Sequence, residues 1–106
     1  MPNVYIGPNC KIGNSNIVAS CTCFSHDNRI GDFNFISSNV IFGGHSTLRN
    51  NNFIGLGCVI RDGITVNNYS LIGSATNILH GTDEYGVYVG NPARKLENKN
   101  SLETKI

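Results

Sequence analysis

The sequence predicts an all-β fold, a parallel β-helix of stacked coils, on two observations. Thirteen aliphatic or aromatic residues recur at every sixth position without a slip: Ile6, Ile12, Val18, Phe24, Ile30, Ile36, Phe42, Leu48, Ile54, Ile60, Val66, Ile72 and Ile78. A small residue often follows the apolar one, as at Gly7, Gly13, Ala19, Gly31, Gly43, Gly55 and Gly73. Strict six-residue periodicity is the mark of such a helix, each unit giving a short strand and a turn.

The first residues, Met1-Pro2-Asn3-Val4-Tyr5-Ile6-Gly7, are already in register, so they belong to the structure and not to a targeting segment. The β-helix is expected over residues 1–80. The stretch His80-Gly81-Thr82-Asp83-Glu84-Tyr85-Gly86 reads as a loop. Val87-Tyr88-Val89-Gly90 reads as a last short strand and Asn91-Pro92-Ala93-Arg94-Lys95 as a turn leading out of it, so residues 81–96 form a loop and closing strand. Residues 97–106 make a polar tail, a frayed end or a short helix. A solenoid needs its ends covered. The C-terminal segment can cover one end and nothing before Met1 covers the other, which raises the expectation of a fragment or a late start.

With 106 residues the chain is one domain. A formal charge of +1 and 14% charged residues leave no basic stripe for nucleic acid. No apolar run approaches the ~20 residues of a membrane span. Cys10 and Cys58 fall two positions before a corner residue, in a column that takes small inward side chains. Buried cysteine behaves there as a small hydrophobe. Cys21-Thr22-Cys23 lacks metal-binding spacing, so no metal is expected and the thiols are read as reduced, in a cytoplasmic protein. The many asparagines, Asn14, Asn16, Asn28, Asn34 and Asn50 to Asn52 among them, suit left-handed turns and stacked amide ladders.

Two elements carry a family resemblance: Ser25-His26-Asp27-Asn28-Arg29-Ile30-Gly31-Asp32-Phe33 and, after the repeats, Gly86-Val87-Tyr88-Val89-Gly90-Asn91-Pro92-Ala93-Arg94-Lys95. With the hexads between them, the chain resembles hexapeptide-repeat acyltransferases, in particular sugar O-/N-acetyltransferases of the sialic acid O-acetyltransferase and UDP-4-amino-sugar N-acetyltransferase type. The resemblance runs from about residue 2 to residue 96. It implies a left-handed helix of about four triangular coils, each closing three hexads. It also implies a homotrimer that binds acetyl-CoA, as co-substrate, between adjacent subunits.

The resemblance assigns residues too. His26 is similar to the family's general base, which takes a proton from the acceptor hydroxyl or amine as that group attacks the thioester; imidazole, titrating near neutrality, suits the task. Asp27 resembles the carboxylate that orients the ring. Gly44 falls one coil above His26, where glycine allows close approach to a backbone donor. Leu56 and Ser74, on an edge shared with Ser20 and Ser38, match positions that contact CoA, and Arg94 is placed to reach its phosphates. Phe35 stands where many relatives carry a second histidine near the thioester, and it can pack against the cofactor without hydrogen-bonding it. Close relatives also carry a preceding nucleotide-sugar-binding domain that this sequence lacks. One reading goes beyond the family: His45 sits one coil above Asp27, at a spacing that would let Asp27 be shared between two imidazoles.

The function expected is acetyl transfer to a sugar hydroxyl or amino group, on a nucleotide-linked sugar for surface polysaccharide biosynthesis. The competing expectation is a non-catalytic trimeric scaffold, or the inactive piece of a split acetyltransferase gene. A zinc-dependent carbonic anhydrase of the same fold does not suit the spacing of His26, His45 and His80.

Overall fold

The structure, a computed structural model, describes residues 3–104. Each hexad gives one two-residue strand: β1 (Tyr5–Ile6), β2 (Lys11–Ile12), β3 (Ile17–Val18), β4 (Cys23–Phe24), β5 (Arg29–Ile30), β6 (Phe35–Ile36), β7 (Ile41–Phe42), β8 (Thr47–Leu48), β9 (Phe53–Ile54), β10 (Val59–Ile60), β11 (Thr65–Val66), β12 (Leu71–Ile72) and β13 (Asn77–Ile78). Two closing strands follow, β14 (Val87–Val89) and β15 (Arg94–Lys95), then a single 3₁₀ turn at Ser101–Glu103.

Every third strand pairs in parallel, so three sheets form the faces of a prism. The first face runs β1-β4-β7-β10-β13, the second β2-β5-β8-β11, and the third β3-β6-β9-β12-β14-β15. Register advances by one coil of 18 residues, Tyr5 opposite Cys23 and Ile12 opposite Ile30. The fold is the all-β parallel solenoid that the hexads predict, with about five coils in place of about four. The difference comes from β14, which breaks the hexad yet still pairs with β12, Leu71 opposite Val87. The last coil is shorter because no strand forms on the second face between β13 and β14, where the Thr82 N–H bonds the Thr65 carbonyl at 3.2 Å.

One corner residue in each hexad takes the left-handed conformation. It recurs at every sixth position from Asn3 to Ala75, with φ between 53° and 73°. Asparagine and glycine tolerate this conformation, and other residues enter it at a cost of about 1–2 kcal/mol. The apolar residues of the hexads point inward: Phe24, Ile36, Phe42, Leu48, Ile54, Val66 and Ile72 are fully buried. Phe24 and Phe42 stack with ring centres 4.9 Å apart. Ile6 is 46% exposed, because a coil covers it on one side only among the described residues.

The asparagines form the anticipated ladders. Asn16 Oδ1 accepts from the Asn34 N–H at 2.9 Å, Asn34 Oδ1 from the Asn52 N–H at 2.9 Å, and Asn52 Oδ1 from the Ser70 N–H at 2.7 Å. At the surface of the same corner, Asp32 Oδ1 accepts from the Asn14 N–H at 2.7 Å, which gives Asp32 a structural task. All four cysteines are free thiols; Cys58 is buried and its Sγ–H donates to the Gly73 carbonyl at 2.9 Å.

Two stability outcomes follow. Gly57 has φ +72° and open space where a Cβ would lie, so Gly57→Ala reports backbone strain alone and costs about 1–2 kcal/mol in urea unfolding. Ile54→Ala, in the fully buried stack, costs about 2–5 kcal/mol.

Candidate active site

The corner between the first and second faces carries Asn9, His26, Asp27, Gly44, His45 and Asp62 on successive coils. Asp27 and His45 both occupy the left-handed position, with φ 53° and 61°. The ladder joining the coils fixes their stacking: the Asp27 N–H donates to the Pro8 carbonyl at 2.9 Å and the His45 N–H to the His26 carbonyl at 3.0 Å. Residues one coil apart therefore present their side chains to one another by backbone geometry alone.

His26 Nδ1 lies 3.0 Å from Asp27 Oδ2. A carboxylate only accepts, so Nδ1 carries the proton and Nε2 of the neutral ring keeps its lone pair. The hydrogen bond from His26 holds the Asp27 carboxyl below the usual carboxylate range; desolvation opposes this, and the His45 charge adds to it. His45 Nε2 is 3.8 Å from the same oxygen, too long for a hydrogen bond and within ion-pair reach when His45 is protonated. The two imidazoles meet edge to face with centres 5.3 Å apart. Asp27 is thus hydrogen-bonded to His26, with His45 at ion-pair distance from the same oxygen.

Gly44, one coil above, lies directly against the ring. A Cβ there would collide with His26 Cε1 and Nε2, so only glycine lets the imidazole rest against this backbone. The side chain of His26 is half-exposed, at 48%. His26, Asp27 and His45 also bring donor atoms within 4.8 Å of one another, a set that could hold a divalent cation if the His26–Asp27 hydrogen bond were given up.

The remaining residues predicted for the site lie elsewhere in the same chain. Phe35 is on the outside of the third face, stacked on Phe53 with ring centres 5.1 Å apart. Leu56 and Ser74 are exposed at the corner between the third and first faces, on the edge where Ser20 and Ser38 place their hydroxyls 3.5 Å apart. Arg94 is in β15, paired antiparallel with Val89. A single chain brings together His26, Asp27 and Gly44, and leaves Phe35, Leu56, Ser74 and Arg94 on other surfaces.

The structure adds residues that sequence reasoning missed. A cavity of about 520 Å³ opens beside the dyad, lined by Asn9, Cys10, Lys11, Asp27, Arg29, His45 and Thr47. The signal was available: positions 11, 29 and 47 follow the same coil step that relates His26 to Gly44.

Gly44→Ala should keep cooperative unfolding while displacing the His26 ring, seen as a shift of its imidazole resonances in two-dimensional NMR. For Asp27, whose folded pKa is lowered, the stabilisation it gives is fully present above about pH 4 and lost as the pH falls through the lowered value. The difference in unfolding free energy between wild type and Asp27→Asn should therefore be larger at about pH 5 than at about pH 2.5.

No protein-family model matches the chain, and no curated protein matches it in sequence. Solved structures do match. A serine acetyltransferase in complex with cysteine superposes with a TM-score of 0.84 at 28% identity, over 89% of this chain and 40% of that one. A maltose O-acetyltransferase from Clostridium difficile 630 gives 0.76 at 23% identity, over 94% and 67%. AntD, an N-acyltransferase from Bacillus cereus in complex with dTDP and 3-hydroxybutyryl-CoA, gives 0.74 at 18% identity, over 93% and 77%. The chain thus spans well under half the length of the serine acetyltransferase. No helix among the described residues is long and apolar enough to cross a membrane. At low identity, the fold of this chain is the left-handed β-helix of the hexapeptide-repeat acyltransferases.

Proposed function

We propose that this chain is an acetyl-CoA-dependent acetyltransferase of the sugar O-/N-acetyltransferase branch, cytoplasmic, acting on a hydroxyl or amino group of a nucleotide-linked sugar. The observation that carries this reading is His26 Nδ1 held 3.0 Å from Asp27 on an open corner of an acyltransferase-type β-helix. Its Nε2 is left free to accept a proton.

In the proposed reaction Nε2 takes the proton of the acceptor O–H or N–H as that atom bonds to the thioester carbonyl carbon. Asp27 stabilises the imidazolium that results. The carbonyl oxygen becomes an oxyanion, for which Gly44 is the candidate donor: its N–H has no hydrogen-bond acceptor among the described residues. The carbon–sulfur bond then breaks, and the thiolate leaves as CoA–SH with the proton from Nε2.

The acyl donor's surface is supplied, in this reading, by a second copy of the chain. Two faces of the prism are apolar on the outside, with Tyr5, Ile41 and Val59 exposed on the first and Ile17 and Phe35 on the third. The second face carries Lys11, Arg29, Thr47 and Thr65. First face against third face is a head-to-tail contact that closes into a ring, here a homotrimer. It would bring Phe35 of one subunit beside the dyad corner of the next, with Arg94 further along the same face; Leu56 and Ser74, at the corner shared by the two contact faces, would turn toward the ring's axis.

Release of CoA, followed by mass spectrometry with a panel of amino-sugar nucleotides and neutral sugars, tests the reading. His26→Ala should lower turnover by about 10²–10⁴. Equal release by that variant, or none by wild type with any acceptor, would leave the non-catalytic scaffold as the better account. Ile41→Glu should convert a trimer to a monomer by light scattering and abolish turnover with His26 intact; a monomeric wild type would remove the seam.

A further inference from the structure

The second face holds a feature that acid–base chemistry does not use. Lys11 and Arg29 are directly registered on the neighbouring strands β2 and β5, and both are exposed. Like charges opposite one another on adjacent strands repel. None of the ion pairs among the described residues involves Lys11, Arg29 or Arg49. Of the two acids at this corner, Asp27 is already engaged by His26, and Asp62 takes part in none of those ion pairs.

The cations also frame a hollow. Lys11, Arg29 and Thr47 line the cavity of about 520 Å³ that reaches Asp27 and His45. The same three residues, with Arg49 and Asn50, line an adjoining depression of about 280 Å³ further along the face. The two hollows form one track from the dyad corner across the face to Arg49. Among the hexad strands, the second face is the one whose outward positions carry Lys11, Arg29, Thr47 and Thr65, and the assembly proposed above leaves it open to solvent.

The geometry points to a diphosphate-binding subsite on this face: Lys11 and Arg29 clamp the bridged phosphates of the acceptor, Arg49 meets their far end, and Thr47 donates a hydroxyl. A phosphate group fits better than a single carboxylate, because three cations spread over two hollows match an extended, multiply charged anion. The chain itself would then supply the recognition of the nucleotide-linked portion, with the sugar directed toward His26. The assignment to the acceptor rests on the proposed transferase function; the anion site does not. Coenzyme A also carries phosphates, so the test must separate the two sources.

Calorimetric titration of the intact protein with uridine diphosphate and with inorganic pyrophosphate provides that test. Both should bind to wild type and to His26→Ala. Affinity should fall at least tenfold in Lys11→Ala and in Arg29→Ala and be unchanged in Lys99→Ala, each variant keeping wild-type cooperative unfolding. Binding should weaken with added salt, and saturating CoA should not displace the uridine diphosphate. Absence of binding, or binding indifferent to Lys11 and Arg29, would overturn the subsite. Displacement by CoA would overturn its assignment to the acceptor. Binding that persists in a protein without transferase turnover would keep the subsite and remove the catalytic reading instead.

Discussion

The backbone must turn left-handed once in each hexad, and every other property of this molecule depends on that turn. Each hexad strand is only two residues long, too short to be stable as an isolated ribbon. It persists because the corner returns the chain, after three sides, to hydrogen-bonding distance of its own earlier course. Gly7 N–H to the Phe24 carbonyl at 2.8 Å, Gly13 N–H to the Ile30 carbonyl at 2.8 Å and Ala19 N–H to the Ile36 carbonyl at 2.9 Å are one rung repeated at three faces. Interior packing and the polar ladders both inherit that repeat. The apolar residues form the central stack, and Asn16, Asn34 and Asn52 satisfy backbone N–H groups at one corner.

The candidate site is a by-product of the same translation. Asp27 and His45 face each other because they are equivalent residues of successive coils. His26 finds Gly44 against its ring for the same reason. Nor is the site set apart by exceptional strain. Ala75 and Phe33, far from the dyad, adopt the same left-handed φ, at 58° and 59°. What distinguishes the corner is chemical content: a carboxylate, two imidazoles and a bare glycine at consecutive levels.

The strands were legible from the six-residue step alone; their grouping into three faces and the His26–Asp27 pair were what the family resemblance implied. Ile6 to Ile78 could be counted, and His26 and Gly44 could be aligned by the coil length. Two things were harder to read. The extra half coil was hidden because Val87 pairs with Leu71 after an irregular loop, where periodicity carries no information. The cationic track was passed over because a net charge of +1 averages it away. Lys11, Arg29 and Arg49 look scattered along the chain, and only the wrapping gathers them.

The reversed pairing of β15 on β14 has a consequence for how copies of this molecule meet. A parallel coil ends in unpaired N–H and carbonyl groups that can template a further coil, from the same chain or another. Here the N–H and carbonyl of Asn77 are taken by Gly90 and Ala93, the Thr65 carbonyl by Thr82, and the outer edge of β14 by a strand running the wrong way. All three sides are thereby blunted against end-on polymerisation at that pole, so lateral association is the route left open to it there.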